Sequence, residues 1–166
     1  IQREVALKIL KDTLEKNKST TLNEMLETDY DEIPVDIDTF LTDPRYLGKF
    51  TNNGKNLTYR KWPEALREWF PNPLAPSPYV EIALTGAIGL GKSTNFDYAA
   101  TYFLYKLMCL KDPNSYYGQP GATLWFCFFN NTLNSANSAA YAKFQAMLQS
   151  SPWFMERGSL SGVKNV

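Results

Sequence analysis

The apolar residues of the chain recur with two different periods, and these periods predict the order of its elements. Residues 79–85 predict a hydrophobic strand, and a helix is predicted over 93–110 because apolar side chains recur there at helical spacing. Residues 123–129 are apolar on both faces, as a central parallel strand is, and a second helix is predicted over 133–148. The order strand, helix, strand, helix predicts an α/β fold with a parallel sheet and right-handed crossovers.

Each predicted helix has an apolar line that we expect to be buried. In the first helix the line comprises Phe96, Ala99, Ala100, Phe103, Leu104, Leu107 and Met108. In the second helix it comprises Leu133, Ala136, Ala140, Phe144, Met147 and Leu148.

The first half of the chain has a different pattern. Residues 2–16 and 62–70 predict two helices, and four prolines between 71 and 78 predict an extended linker. We therefore predict a helical N-terminal lid or linker segment over 1–75, followed over 76–166 by the first part of an α/β domain.

A complete G-x-x-x-x-G-K-[ST] sequence joins the first predicted strand to its helix, and it runs from Gly86 to Ser93. Its glycines allow backbone N–H groups to converge on a phosphate, Lys92 reaches the β and γ oxygens, and Ser93 offers a hydroxyl to Mg²⁺. The N-terminus of the helix faces the same phosphates. A plain turn is the alternative, but a turn has no use for Lys92 and Ser93 at the helix start. The loop predicts binding of a nucleoside triphosphate.

Composition narrows the chemistry further. The chain has 166 residues, balanced charge and no histidine, so catalysis would use carboxylates, Lys, Arg and magnesium. Residues 19–43 carry eight acids and no base, whereas 45–67 carry six bases and one acid. Such runs are usually solvated faces, although a basic face beside a nucleotide site could follow a DNA backbone. Cys109 and Cys127 are both predicted to be buried, and no apolar run is long enough for a membrane span, which predicts a cytosolic protein.

No apolar strand that ends in acidic residues follows Gly158, although a P-loop ATPase needs one to hold magnesium and activate water. We therefore expect the sheet to be incomplete and the chain to be an N-terminal piece of a longer protein. By itself it should bind nucleotide weakly or fail to fold fully, and it should not hydrolyse ATP appreciably. Glu81 and Asp97 are the first candidates for a base if it does.

Five segments, in order, resemble the N-terminal ATPase region of tailed-bacteriophage terminase large subunits, over about residues 40–157. The segments are 43–48, 57–62, 80–94, 124–132 and 151–154. The resemblance implies a P-loop NTPase of the RecA/ASCE type, a parallel sheet with flanking helices. It also implies an ATP-driven motor that pumps double-stranded DNA into a procapsid.

The resemblance also implies where such a motor works and with what. Its copies would form a ring on the portal protein of the procapsid, together with the small terminase subunit, in the cytoplasm of the infected bacterial host. A separate nuclease domain cuts the DNA in that family, and nothing in this chain represents it.

By the same resemblance, the residues that bind ATP and Mg²⁺ are those of the loop and an upstream aromatic pair. The loop set comprises Gly86, Ala87, Ile88, Gly89, Leu90, Gly91, Lys92, Ser93 and Thr94, with Lys92 catalytic, Ser93 the metal ligand and Thr94 a candidate α-phosphate contact. Tyr59 and Trp62 would lie near the adenine, although ordinary core packing explains them equally well.

The loop lacks the arginine that many terminases have there, and a neighbouring subunit could supply one. The candidates are Arg45, Arg60, Arg67 and Arg157. Two alternatives stay open: another P-loop enzyme, such as a helicase or a small-molecule kinase, and a structural role with an idle nucleotide site.

Overall fold

The computed structural model describes residues 28–57, 61–87, 89–116, 121, 125, 127 and 141–157. Within these residues the chain forms seven helices. They are α1 (Ile37–Thr42), α2 (Gly48–Thr51), α3 (Lys61–Trp69), α4 (Lys92–Cys109), α5 (Pro113–Tyr116), α6 (Ala142–Ser150) and α7 (Pro152–Arg157). The long helix α4 packs against α1 and α6, α2 and α3 pack against α1, and α7 packs against α6.

An aromatic cluster on α4 forms the centre of the core. The ring centroids of Tyr105 and Phe40 are 4.8 Å apart, and those of Tyr105 and Trp153 are 4.6 Å apart. Phe40 also meets the edge of Tyr102 at 5.1 Å. All four side chains are fully buried. Because such pairs add attraction to the burial of large apolar areas, the cluster fixes α1, α4 and α7 against one another.

The buried tyrosine hydroxyls of this cluster are satisfied by a single residue. Tyr102 donates to the carbonyl oxygen of Val35, and the Val35 N–H donates to the Tyr105 hydroxyl, each at 2.8 Å. Asp36 follows and caps α1, because its carboxylate accepts the N–H groups of residues 38 and 39 at 3.0 Å. The segment that leads into α1 is therefore attached to α4 through its backbone.

Two segments that are distant in sequence meet beside this cluster. The backbone N–H of Trp153 donates to the Arg45 carbonyl oxygen at 3.0 Å, and the ring centroids of Trp153 and Tyr46 are 6.5 Å apart. Arg157 lies over the Trp153 ring, 4.2 Å from its centroid, and pairs with Glu32. The turn between α1 and α2 is thus joined to α7.

The proline-rich linker is anchored to α4 by hydrogen bonds to its backbone carbonyl oxygens. Lys106, which is buried, donates to the carbonyl oxygens of Asn72 and Ala75, and Tyr30 donates to that of Leu74 at 2.8 Å. Burial lowers the pKa of Lys106 to about 8. These bonds fix the position of the linker before the predicted strand over 79–85.

The buried face of α4 differs from the predicted apolar line. Phe96 and Met108 are 48% and 37% exposed, whereas Tyr98, Tyr102 and Tyr105 are buried. The prediction counted only purely apolar side chains. The tyrosines were left out, although their large rings can be buried when the hydroxyl has a partner, as those of Tyr102 and Tyr105 have inside the protein. Phe96 instead borders an open apolar cleft of about 280 Å³, which Val80 and Ile82 also line.

The parallel sheet is not observed in the described part of the chain. Residues 81–85 have the alternation of a strand, with Ile82 and Leu84 half-buried and their neighbours exposed, but they pair with no described residue. The one ladder pair among the described residues is an antiparallel bridge between Tyr30 and Leu110. The proposed neighbour over 123–129 lies outside the described residues except for Trp125 and Cys127.

The helix predictions have mixed outcomes. The helices expected over 93–110 and 62–70 are confirmed as α4 and α3, and α6 confirms the C-terminal part of the helix expected over 133–148. Phe144, Met147 and Leu148 are buried as predicted. A short helix, α5, follows α4 where no element was predicted, and the helix predicted over 2–16 lies outside the described residues.

The two cysteines behave differently. Cys109 is buried, as predicted, and burial raises its pKa to about 12. The prediction for Cys127 was wrong, because this residue is exposed at the edge of the apolar cleft and no described strand covers it. No helix among the described residues has the length and apolar character that a bilayer crossing requires.

We predict that Trp153→Ala lowers the free energy of unfolding by about 3–5 kcal/mol, because it removes a fully buried ring from the centre of the core. Urea unfolding followed by circular dichroism measures the change. Met155→Ala in the same helix is the matched control, since Met155 is 53% exposed and its loss should cost less than about 0.5 kcal/mol. Equal costs for the two variants would contradict the described core.

Candidate functional site

The loop before α4 is curved by three glycines. Gly86, Gly89 and Gly91 have φ angles of 129°, 88° and 75°, a region that side chains with a Cβ rarely adopt. At Gly89 a Cβ would meet no atom within 4 Å, so the requirement there is conformational rather than steric. The glycine spacing of the motif therefore corresponds to positions where the backbone turns.

Lys92 is the first residue of α4, and its side chain folds back over the loop. Its ammonium group donates to the carbonyl oxygens of Gly86 at 2.9 Å and Ala87 at 2.6 Å. Ser93 is exposed at the next helical position, and Thr94 follows, half-buried. The geometry places a cation and a hydroxyl at the mouth of the loop.

The N-terminus of α4 is free of competing anions. The helix has no side-chain cap and no acidic residue in its first turn. Its first N–H groups consequently have no partner within the helix and give this end a partial positive charge. The loop and the helix end together favour an anionic ligand.

Trp62 is attached to the loop rather than buried in the core. Its indole N–H donates to the Leu90 carbonyl oxygen at 2.7 Å. The cleft beside it, which Gly91, Thr94 and Asn95 also line, holds only about 10 Å³. That volume suits about one water molecule and not an adenine ring, so the adenine contact of Trp62 stays a prediction. Tyr59 and Ile88 lie outside the described residues.

Comparison with known families assigns this loop to a class. A family model described as "Uncharacterized protein MJ0330, N-terminal P-loop domain" matches residues 5–160. The chain belongs to this family. The comparison with curated proteins found no match, and the comparison with solved structures found none either. The match confirms the prediction of a nucleotide-binding P-loop domain. That the chain is part of a terminase stays a proposal.

A polar face of the P-loop domain lies between α4 and α6. The Lys143 ammonium group of α6 donates to the Thr94 hydroxyl at 2.8 Å, and the Thr101 hydroxyl contacts the Met147 sulfur at 3.5 Å. Asp97 is on the same face of α4, between these two contacts. The register therefore brings the Asp97 carboxylate close to the Lys143 charge.

Asp97 is fully buried, and neither of its carboxylate oxygens has a hydrogen-bond partner. Burial raises its pKa to about 7, and the nearby charge of Lys143 opposes the rise. The sequence suggested Asp97 as a spare base but did not identify Lys143, because that contact joins residues 49 positions apart.

Two of the four candidate arginines have carboxylate partners, and Arg60 lies outside the described residues. Arg67 pairs with Asp38 at 2.7 Å, and Arg157 pairs with Glu32. Two of the acidic residues within 19–43, Asp38 and Glu32, are therefore engaged in ion pairs within the molecule. In the described stretches, no cluster of three or more His, Cys, Asp or Glu side chains could hold a metal ion.

We predict that Asp97→Asn stabilises the protein at pH 8 by roughly 2–4 kcal/mol and has little effect at pH 4. Between about pH 4 and 7 the folded protein keeps a proton that the unfolded chain has lost, so the wild type loses stability as the pH rises through this window. The neutral amide removes this loss. Urea unfolding at both pH values measures it.

Asp112→Asn is the control for this experiment. Asp112 is exposed, and its pKa is lowered by hydrogen bonds from Ser115, so the same substitution should not stabilise the protein at pH 8. An Asp97→Asn effect of equal size at pH 4 and pH 8 would show that the buried carboxyl holds no extra proton.

Proposed function

We propose that this chain is the ATP-binding part of a viral DNA-packaging motor, in which ATP hydrolysis drives double-stranded DNA into a procapsid. The observation that carries the ATP site is the loop itself: three glycines with positive φ deliver Lys92 to the start of an uncapped helix. This arrangement supports binding of the β and γ phosphates. It also supports Lys92 as the catalytic cation.

The motor assignment draws on the segments that resemble terminase large subunits. Two pairs of these segments meet in space. Residues 43–48 contact 151–154 through Arg45 and Trp153, and residues 57–62 contact the phosphate loop through Trp62 and Leu90. Segments that touch across such sequence distances form one structural unit around α4, and this supports reading them together.

The residues at the loop mouth suit magnesium. Ser93 offers one hard oxygen ligand, and Mg²⁺ commonly takes a single protein oxygen together with phosphates and water. When bound, the ion would neutralise part of the phosphate charge. The loop amides orient the triphosphate, and Lys92 exchanges its bonds to the Gly86 and Ala87 carbonyls for bonds to phosphate.

An arginine from a neighbouring copy would complete this site. Residues 85–94 contain none, and the side chains of Arg67 and Arg157 already have carboxylate partners in their own chain. In a ring on the portal, each subunit would offer a cation to the γ phosphate of the next. The portal protein and the small terminase subunit are the proposed partners, in the cytoplasm of the infected host.

We predict that Lys92→Ala in the full-length protein abolishes DNA-stimulated ATP hydrolysis while the circular dichroism spectrum stays unchanged. The side chain is half-buried and bonds only loop carbonyl oxygens outside the core, so its loss should leave the fold intact. Phosphate release with and without duplex DNA measures the effect. Lys49→Ala, which removes an exposed lysine, is the matched control and should keep full activity.

Two results would oppose this function. Retained turnover in Lys92→Ala would place Lys92 outside the catalytic pocket. ATP hydrolysis by the full-length protein that duplex DNA does not stimulate, but a small-molecule phosphate acceptor does, would favour a kinase instead.

We further predict that the 166-residue chain by itself binds MgATP weakly and hydrolyses it no faster than background, because its sequence contains no acidic strand end that could activate water. Glu81 and Asp97 are the residues to replace if turnover is found. Single-turnover assays with radiolabelled ATP provide the required sensitivity.

A further inference from the structure

We infer that Lys143 is a second phosphate-binding cation of this loop, and that Asp97 positions it. The inference rests on the proposed ATP site and adds a residue from α6 to it. Its basis is the Lys143 ammonium group at the Thr94 hydroxyl, two residues after Lys92, beside a buried carboxylate without hydrogen-bond partners.

The position of Thr94 brings Lys143 within reach of a bound phosphate. Thr94 is the third residue of α4, so it belongs to the helix turn whose N–H groups face the loop. A phosphate oxygen bonded to the Thr94 hydroxyl would lie within about two hydrogen-bond lengths of the Lys143 nitrogen, roughly 5–6 Å. An ammonium group has three N–H donors, and the contact with Thr94 uses one of them.

Asp97 explains why a lysine on α6 keeps this position. The carboxyl group is fully buried in the part of α4 that follows the loop, and the positive charge of Lys143 acts on it. A flexible lysine side chain would otherwise extend into solvent. Above about pH 7, where this carboxyl group is ionised, its attraction holds the ammonium group at the interface of α4 and α6, where the Thr94 hydroxyl accepts a hydrogen bond from it. Asp97 is therefore a positioning residue and touches no phosphate itself.

The two lysines have different tasks. Lys92 enters the loop from its own helix and serves the outer phosphates. Thr94 lies in the first turn of α4 beside the loop, whose amides cradle the α and β phosphates that ATP and ADP share. Loss of Lys143 should consequently weaken both nucleotides by the same factor and leave the ATP to ADP preference unchanged.

The test measures dissociation constants of MgATP and MgADP by calorimetry for the full chain. We expect Lys143→Met to weaken both about tenfold and Lys143→Arg to retain most of the affinity. The matched control is Lys111→Met at the far end of α4, whose ammonium group bonds a backbone oxygen and should not affect binding. Lys92→Met is measured alongside.

The outcomes separate this inference from the proposed function. Nucleotide binding that Lys92→Met leaves unchanged would overturn the proposed ATP site. Loss of binding in Lys92→Met together with unchanged binding in Lys143→Met would overturn only the role of Lys143. Full recovery of affinity in the double variant Lys143→Met with Asp97→Asn would also overturn it, because the lysine would then merely neutralise the carboxylate.

A measurement on the wild type keeps the inference testable if Lys143→Met does not fold. Amine acylation followed by mass spectrometry reports the accessibility of each lysine. MgATP should protect Lys143 several-fold and leave Lys111 unprotected. Equal acylation of Lys143 with and without MgATP would contradict the inference.

Discussion

The burial of Tyr102 and Tyr105 is the constraint on which the rest of the structure depends. Their rings fill the space between α1 and α7, and their hydroxyls hold both backbone groups of Val35. A tyrosine can be placed so deeply only where a partner meets its hydroxyl, so the register of α4 against the segment before α1 has little freedom. The first turn of α4, and with it Lys92, is positioned by contacts made near the other end of the helix.

Local sequence patterns predicted the elements of the domain better than they predicted its packing. The helix that became α4, the phosphate loop and α3 follow from periodicity, glycines and a proline in a first turn, all of which act within a few residues. The buried face of α4 did not follow, because Tyr98, Tyr102 and Tyr105 count as half-polar until their partners are known. Partners such as Val35 lie some 70 residues away along the chain.

The candidate site likewise has one part that the local sequence predicted and another that depends on contacts between distant residues. The motif identified the loop and Lys92 without any tertiary information. Three further features depend on the fold: the bond from Trp62 to Leu90, the contact of Lys143 with Thr94, and the complete burial of Asp97. Polar residues at helical spacing usually face solvent, so nothing local shows that the face containing Thr94 and Asp97 is covered by α6.

The attachment of Trp62 to the loop gives this domain an optical reporter of its own. Indole emission responds to changes in hydrogen bonding and in the polarity around the ring, and the Trp62 N–H is bonded directly to the Leu90 carbonyl oxygen. Trp69 and Trp153 are buried elsewhere in the protein, which gives them steadier surroundings, and replacing the 80% exposed Trp125 with Phe would remove the remaining background emission. Movement of the loop should therefore be visible in tryptophan fluorescence, on the millisecond scale of stopped-flow mixing and without an attached dye.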